Sequence, residues 1–511
     1  MAPSVPFWPL PLLLFVPLLF IWKRKLHDKR RRSKNLPPGP PRLPFIGNLH
    51  QLGAIPHYSL WQLSKKYGPV MFLKLGRVPS VVISSAEAAK EVLKTHDLYT
   101  CSRPFSASTQ KLSYNYLDVG FSPYGDYWRK MRKICVLELF SAKRVQSFQF
   151  VREEEVASLI DSITKSASTA TPVNLSEKCM ALTANITCRA AFGRSFQERG
   201  FAHERFHEVI REGMALLGCL SAAEFFPYVG WIVDKITNLH GRLERTFQEL
   251  DGFYRKVIDD HVEKGRDESG QEDIVDVLLE LERSPPDFGI ADAAFRFSRD
   301  HIKAILMNIF LGGVDTGAIT LIWAMTELIR HPTVMRKAQE EIRTCMGDKT
   351  KVTESDIDKL GYLKMVLKET LRLHPLGQLV RETMSKFSIN GYVIEPKTLI
   401  QVNVFAIGRD PKVWRNPEEF IPERFIDNQY DFNGQSYEFL PFGAGRRSCP
   451  GMAMGLALVE LALANLLFCF DWKLPCNMKK EDVNMDEAPG IVTGKKEALL
   501  LLPVKYPHAC M

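Results

Sequence analysis

Pro441-Phe442-Gly443-Ala444-Gly445-Arg446-Arg447-Ser448-Cys449-Pro450-Gly451 is the stretch that decides how this chain folds. One cysteine sits in a glycine-rich, basic segment, and the apolar run Met452 to Phe468 follows at once. Proline is favoured at the first helical position because its missing N–H is not needed there, so the pattern predicts a helix opening at Pro450 with Cys449 near its N-cap. Unpaired amides and the positive end of the helix would face the sulfur, lower its pKa and favour the thiolate. Such a sulfur suits a soft or redox-active metal. A buried free thiol is the usual fate of an isolated cysteine, and it is the reading for the other nine of the ten cysteines.

Phe442, Gly445, Arg447, Cys449 and Gly451 fit F-x-x-G-x-R-x-C-x-G at every fixed position. A dinucleotide fingerprint G-x-G-x-x-G starting at Gly443 would need glycine where Ser448 stands. No C-x-x-C or C-x-x-C-H occurs, which removes common zinc and covalent-haem arrangements. The segment resembles the haem-binding loop of the cytochrome P450 family. That resemblance implies haem b with Cys449 as the axial iron ligand. Glycines would let the backbone approach the flat macrocycle, and Arg447 would hydrogen-bond a propionate.

The 511 residues and 45% hydrophobic content allow a sizeable core. The net charge of +8 is local: Lys23 to Lys34 hold eight Lys/Arg and one Asp, leaving about +1 elsewhere, which argues against nucleic acid as a partner. Ahead of that patch, residues 1–22 are uncharged, and Val5 to Trp22 would span roughly 27 Å as a helix, just enough for a bilayer core. Basic residues after the span keep the following chain cytosolic. The expected organisation is a membrane anchor over 1–22, a basic patch and proline-rich hinge over 23–50, and one catalytic domain over 51–511. Leu36-Pro37-Pro38-Gly39-Pro40-Pro41 is the stiff elbow within the hinge.

Strand signals at Val70 to Leu75 and Val81 to Ser84 recur late, around an Asn390-Gly391 turn and at Thr398 to Val404. Neither group makes a stable sheet alone, so early strands should pair with late ones. The remainder reads as helix, giving a mainly α fold with a small β-rich subdomain. The longest helical pattern runs from about Ser298 to His331 and is apolar on more than one face, so it must be buried. Asp315 and Glu327 exclude it as a second membrane span.

Within that helix, Gly312-Gly313-Val314-Asp315-Thr316 sets two helix-weakening glycines beside an acid and an alcohol. The segment is similar to the family's distal motif, which implies that Asp315 and Thr316 relay protons to bound dioxygen. Gly317 departs from the hydroxyl residue common there. By the same resemblance, Trp128, Arg132 and Arg381 contact haem propionates, while Glu369, Arg372 and Arg424 form a buried structural ion cluster. Family position alone nominates Met307, Phe310, Leu311, Leu376, Leu379, Val380, Ile491 and Val492 for the substrate pocket. Five residues separate His374-Pro375 from Arg381-Glu382, fewer than the family's plant form.

The wording of the cysteine loop and of Phe420-Ile421-Pro422-Glu423-Arg424-Phe425 looks most like the plant microsomal branch concerned with specialised metabolism. The resemblance implies a monooxygenase of the endoplasmic reticulum membrane acting on a small, mainly apolar terpenoid, alkaloid or phenolic with O2. Electrons would come from NADPH through cytochrome P450 reductase, since no flavin or nicotinamide site is visible. A haem-thiolate isomerase or dehydratase is the alternative on the same fold. His203-Glu204-Arg205-Phe206-His207 matches the H-E-x-x-H zinc-protease pattern but lacks its extended continuation.

Overall fold

The computed structural model describes residues 36–193, 203–219, 221–264, 272–283, 296–426, 430–475 and 478–507. The expected anchor and the basic patch of Lys23 to Lys34 lie outside these residues. So do the side chains of His203 to His207, whose backbone opens a helix over His203–Gly218. The proline elbow lies along the first strand: Phe72 N donates to Pro38 O at 2.8 Å. Gly39 passes so close that a Cβ there would sit 2.0 Å from Phe72 O.

Early and late chain build one sheet. β1 (Val70–Leu75) and β2 (Val78–Ile83) pair antiparallel, with Gly76 at φ +56° in the connecting turn. β3 (Leu379–Glu382) and β4 (Leu399–Val402) complete the order β1-β2-β4-β3; β4 runs parallel to β2, with Val81 opposite Ile400. β2 begins before the expected Val81. Pro79 is tolerated inside it because β4 joins only from Ser80 onward, so its missing N–H breaks no bond of the parallel ladder. Asn390 and Gly391, at φ 48° and 78°, turn the Phe387–Ile389 and Tyr392–Ile394 hairpin.

The helices that build the site are α1 (Asp126–Ile134), α2 (Leu175–Phe192), α3 (Arg299–Gly313), α4 (Asp315–Arg330), α5 (Gly361–Leu373) and α6 (Met452–Cys469). The long pattern expected over Ser298 to His331 is thus two helices meeting at Val314, after the two glycines that weaken the backbone there. α4 is buried continuously from Gly317 to Ile329, which its all-round apolar surface requires. Both α3–α4 and α6 are long and apolar enough to cross a membrane, yet each is mostly buried inside the protein. They are core.

Glycines set how closely this core packs. A Cβ at Gly313 would lie 2.8 Å from Thr187 Oγ1, and one at Gly317 would lie 3.2 Å from Thr183 and 3.4 Å from Leu458. Two glycines four apart therefore receive two threonines four apart on α2. At Gly317, α2 and α6 leave little room for a side chain. Cys101, Cys135 and Cys179 are free thiols in the core, as expected, but Cys469 is not: it is disulfide-bonded.

Candidate active site

The cysteine loop is held by its own backbone. Gly443 and Gly445 both adopt φ +69°, and a Cβ at Gly445 would fall 2.4 Å from Leu93 O and 2.8 Å from Asp97 Oδ1, so only glycine fits. Cys449 N donates to Phe442 O at 2.9 Å and closes the loop. α6 starts later than Pro450 predicts: Gly451 is its N-cap and Met452 its first residue. Cys449 therefore stands two residues outside the cap. The expected depression of its thiol pKa does not follow. Cys449 is accessible yet deep in the fold, and burial pushes the thiol up, outweighing the Gly451 N–H and Arg132, which pull it down.

α6 and α4 meet where Leu458 packs on Gly317, and on the N-terminal side of that contact both are uncovered. Residues 452–457 on α6 are apolar but not buried, and burial begins at Leu458. Gly312 is exposed, with nothing within 4 Å of where its Cβ would be. Asp315 and Thr316 edge this open stretch. Burial raises the Asp315 carboxyl above its ordinary pKa, opposed by the charge of Arg211. Thr316 Oγ1 donates to Gly312 O at 2.6 Å, which uses its proton within the helix and leaves its oxygen lone pairs available.

Buried positive charge gathers at one end. Arg381 donates to Asp97 Oδ1 at 2.5 Å and to Ala444 O at 2.7 Å, while Arg446 takes the other Asp97 oxygen at 2.6 Å. Arg447 reaches only carbonyls, those of Cys101, Val119 and Ser122, and its guanidinium lies 4.2 Å from the centre of the Trp128 ring. Arg103, which nothing in the local sequence singles out, likewise donates to Gly120 O and Val380 O. Burial and the neighbouring Arg103 push Arg447 down to about 9; burial and Arg381 push Arg103 down to about 10. Asp118 opposes both shifts, yet neither guanidinium hydrogen-bonds a carboxylate. The two carboxylates of a haem would supply that partner, and the accessible sulfur and uncovered apolar helix suit its iron and its face; the residues fit the group.

Trp128 and Arg132 share one face of α1, and each makes a bond to protein backbone. Trp128 Nε1 donates to Val119 O at 2.9 Å, and Arg132 Nη2 to Ser448 O at 2.7 Å. Trp128 thus braces Arg447, and Arg132 braces the cysteine loop.

Glu369 is fully enclosed by partners. Arg372 grips both its oxygens at 2.7 and 2.9 Å, Arg424 Nε donates to Oε1 at 2.9 Å, and Ile421 N to the same oxygen at 2.8 Å. Two of the nominated pocket residues belong to the core instead. Phe310 has no exposed surface and stacks on Phe192 at 5.0 Å, with Phe253 and Tyr254 around it; Met307 is similarly sealed. The helix turns them toward the neighbouring helices, whereas Gly312 and Asp315 reach the open side. Leu376, Leu379, Val380, Ile491 and Val492 are all partly accessible, and Leu311 is nearly buried. Thr493 N donates to Leu376 O at 2.8 Å, so the C-terminal loop closes against the shortened segment.

A family model described as Cytochrome P450 matches residues 37–502. Cytochrome P450 71B36 and cytochrome P450 71B10 of Arabidopsis thaliana are 53% and 54% identical over 500 and 503 residues, covering 97% and 98% of this chain and 99% of each relative. A solved zebra fish cytochrome P450 with abiraterone superposes with a TM-score of 0.74 at 25% identity, covering 89% of this chain and 100% of that one. Matching from the proline elbow into the final strand, Leu500–Lys505, the chain belongs to the cytochrome P450 family of monooxygenases.

Proposed function

We propose that this enzyme inserts oxygen from O2 into a small, mainly apolar plant-type specialised metabolite, a terpenoid, alkaloid or phenolic, with electrons from NADPH through a reductase. The observation that carries the reading is the pairing of an accessible Cys449 with buried Arg103 and Arg447, whose hydrogen bonds reach only carbonyl oxygens. Haem, when bound, supplies the one-electron and dioxygen chemistry. Arg103, Arg381 and Arg447 would hold its carboxylates, and Cys449 would supply the sulfur that its iron takes. Asp315, kept protonated more readily by burial, holds a proton at its carboxyl oxygen, and Thr316 Oγ1 accepts and passes it on beside the open Gly312. Leu376, Leu379, Val380, Ile491 and Val492 orient an apolar substrate and exclude water.

The partners follow from two surfaces. A groove of about 400 Å³ beside the cysteine loop is lined by Tyr124, Arg129, Arg132, Lys133, Val136 and Arg446, a basic rim with an apolar floor that suits an acidic reductase domain. Phe45, Tyr228, Trp231 and Ile236 expose large apolar side chains. The turn after β1 links the two segments that carry them, with Gly76 N donating to Ile46 O and Arg77 N to Phe225 O, and Arg77 covers the Tyr228 ring at 5.0 Å. Such a patch suits contact with the endoplasmic reticulum membrane.

The test is oxygen incorporation, read by mass, in microsomes holding this protein, the reductase and NADPH with a panel of terpenoids, alkaloids and phenolics. Product is expected from the wild type and none from Cys449→Ala, which also loses the thiolate-type absorption of the reduced carbon monoxide complex. Retention of both by Cys449→Ala would overturn the reading.

A further inference from the structure

The turn from Asp118 to Ser122 aims three of the groups beside the haem carboxylates. Val119 O accepts from Trp128 Nε1 at 2.9 Å and from Arg447 Nη1 at 3.3 Å; Gly120 O accepts from Arg103 Nε at 3.0 Å; Ser122 O accepts from Arg447 Nη2 at 2.6 Å. A carbonyl directs a guanidinium only if the carbonyl itself cannot swing. Two side chains hold the other side of the turn. Asp118 Oδ2 accepts from Gly120 N at 3.0 Å and Phe121 N at 2.9 Å. Asn308 Oδ1, from α3, accepts from Val119 N and Gly120 N, each at 3.0 Å, and Asn308 Nδ2 donates to Asp118 Oδ2 at 2.9 Å. A Cβ at Gly120 would press on both at 3.3 Å, so the turn is fitted to this pair.

We propose that Asp118 and Asn308 are positioning residues for the haem carboxylates: they lock the Asp118 to Ser122 turn, and the turn aims Arg103, Arg447 and Trp128. The proposal rests on the reading that those arginines hold the haem. Asn308 precedes Gly312 by one helical turn, so the same lock ties the carboxylate end of the site to the helix leading into Asp315 and Thr316.

The test is haem transfer from purified full-length holoproteins to excess apomyoglobin, followed by absorbance. Asn308→Ala and Asp118→Ala should release haem about 10-fold faster than wild type, the size expected when a ligand's outer supports are lost. Asp118 Oδ1 has no partner, so Asp118→Asn can place its amide nitrogen there, keep the three accepted bonds and stay within about 2-fold of wild type. Asn48→Ala removes a comparable buried asparagine, which bonds Pro40 O, Pro41 O and Lys74 N, and should release haem at the wild-type rate. Arg447→Leu is the reference for fast release. Wild-type release by Asn308→Ala and Asp118→Ala beside fast Arg447→Leu overturns the positioning role while leaving the haem reading intact. Wild-type release by Arg447→Leu overturns that reading and the proposal with it. Equal acceleration by Asn48→Ala also overturns the proposal, since general loosening would explain the effect. If Asn308→Ala loads no haem, Asn308→Ser, which keeps one acceptor, takes its place with an intermediate rate expected and a wild-type rate counting against the proposal.

Discussion

Two buried arginine clusters sit in this molecule, and they differ in one respect. Around Glu369, both arginines meet a carboxylate, and the backbone of Ile421 completes its shell. Around Arg447, Asp97 serves Arg381 and Arg446, while Arg103 and Arg447 find only carbonyl oxygens. A closed set of charges is a fastener. An open set, short of hydrogen-bonded carboxylate in a site also offering an accessible thiol, is a place for a ligand.

The largest effect should come from breaking the closed set. Glu369→Gln leaves two buried guanidiniums without their anion, a loss of about 3–5 kcal/mol, and is expected to abolish folded, haem-loaded protein as judged by the reduced carbon monoxide spectrum. The open set should answer differently. Arg447→Leu is expected to weaken haem retention by about 10–100-fold while the haem-free protein melts no lower than wild type, because a poorly compensated buried charge has been removed. A drop in haem-free stability as large as that of Glu369→Gln would erase the distinction. Thr316→Ala touches neither cluster: haem loading should be unchanged, with product formed per O2 consumed falling by about 10-fold or more as measured by paired oxygen and product assays.

The smallest effect concerns a single acid with no counterpart. Glu460 on α6 has its carboxyl raised to about 7, chiefly by burial, with Lys364 and Lys368 opposing and Asp358 reinforcing. A folded-state pKa above the unfolded value means the folded state holds the proton more tightly. Stability should therefore be greatest below about 4.5 and decline as pH rises toward about 7. Glu460→Gln should melt above wild type at pH 8 and level with it near pH 4.5; a constant difference at both would remove burial as the cause.

Local pattern carried much of this site and little of its wiring. Phe442 to Gly451 was legible because glycine, arginine and cysteine each answer a need met within a few residues. β1 was legible to its ends, since hydrophobic run and turn coincide at Leu75 and Gly76. Arg103 was not, because the partners that make it matter, Gly120 and Val380, stand 17 and 277 residues away. Asp97, which holds Arg381 and Arg446, was missed for the same reason. Phe310 and Met307 were misplaced because an apolar helix shows the same letters on its pocket face and its core face, and only the packing of neighbouring helices separates them. The Cys449 pKa failed on a balance: helix-end amides were legible, the burial opposing them was not.

The pairing of β2 with β4 has a consequence for how the protein is made. Val81 finds Ile400 only after about four-fifths of the chain has left the ribosome, so β2 waits through most of synthesis with an open edge. The strand that carries Arg381 cannot be seated on the sheet before β4 arrives, and the cysteine loop emerges later still. Cofactor loading is accordingly a late act of biogenesis. A chain truncated before β4 would present unpaired, apolar strand edges to the cell, and its fate would be decided by chaperones and proteases.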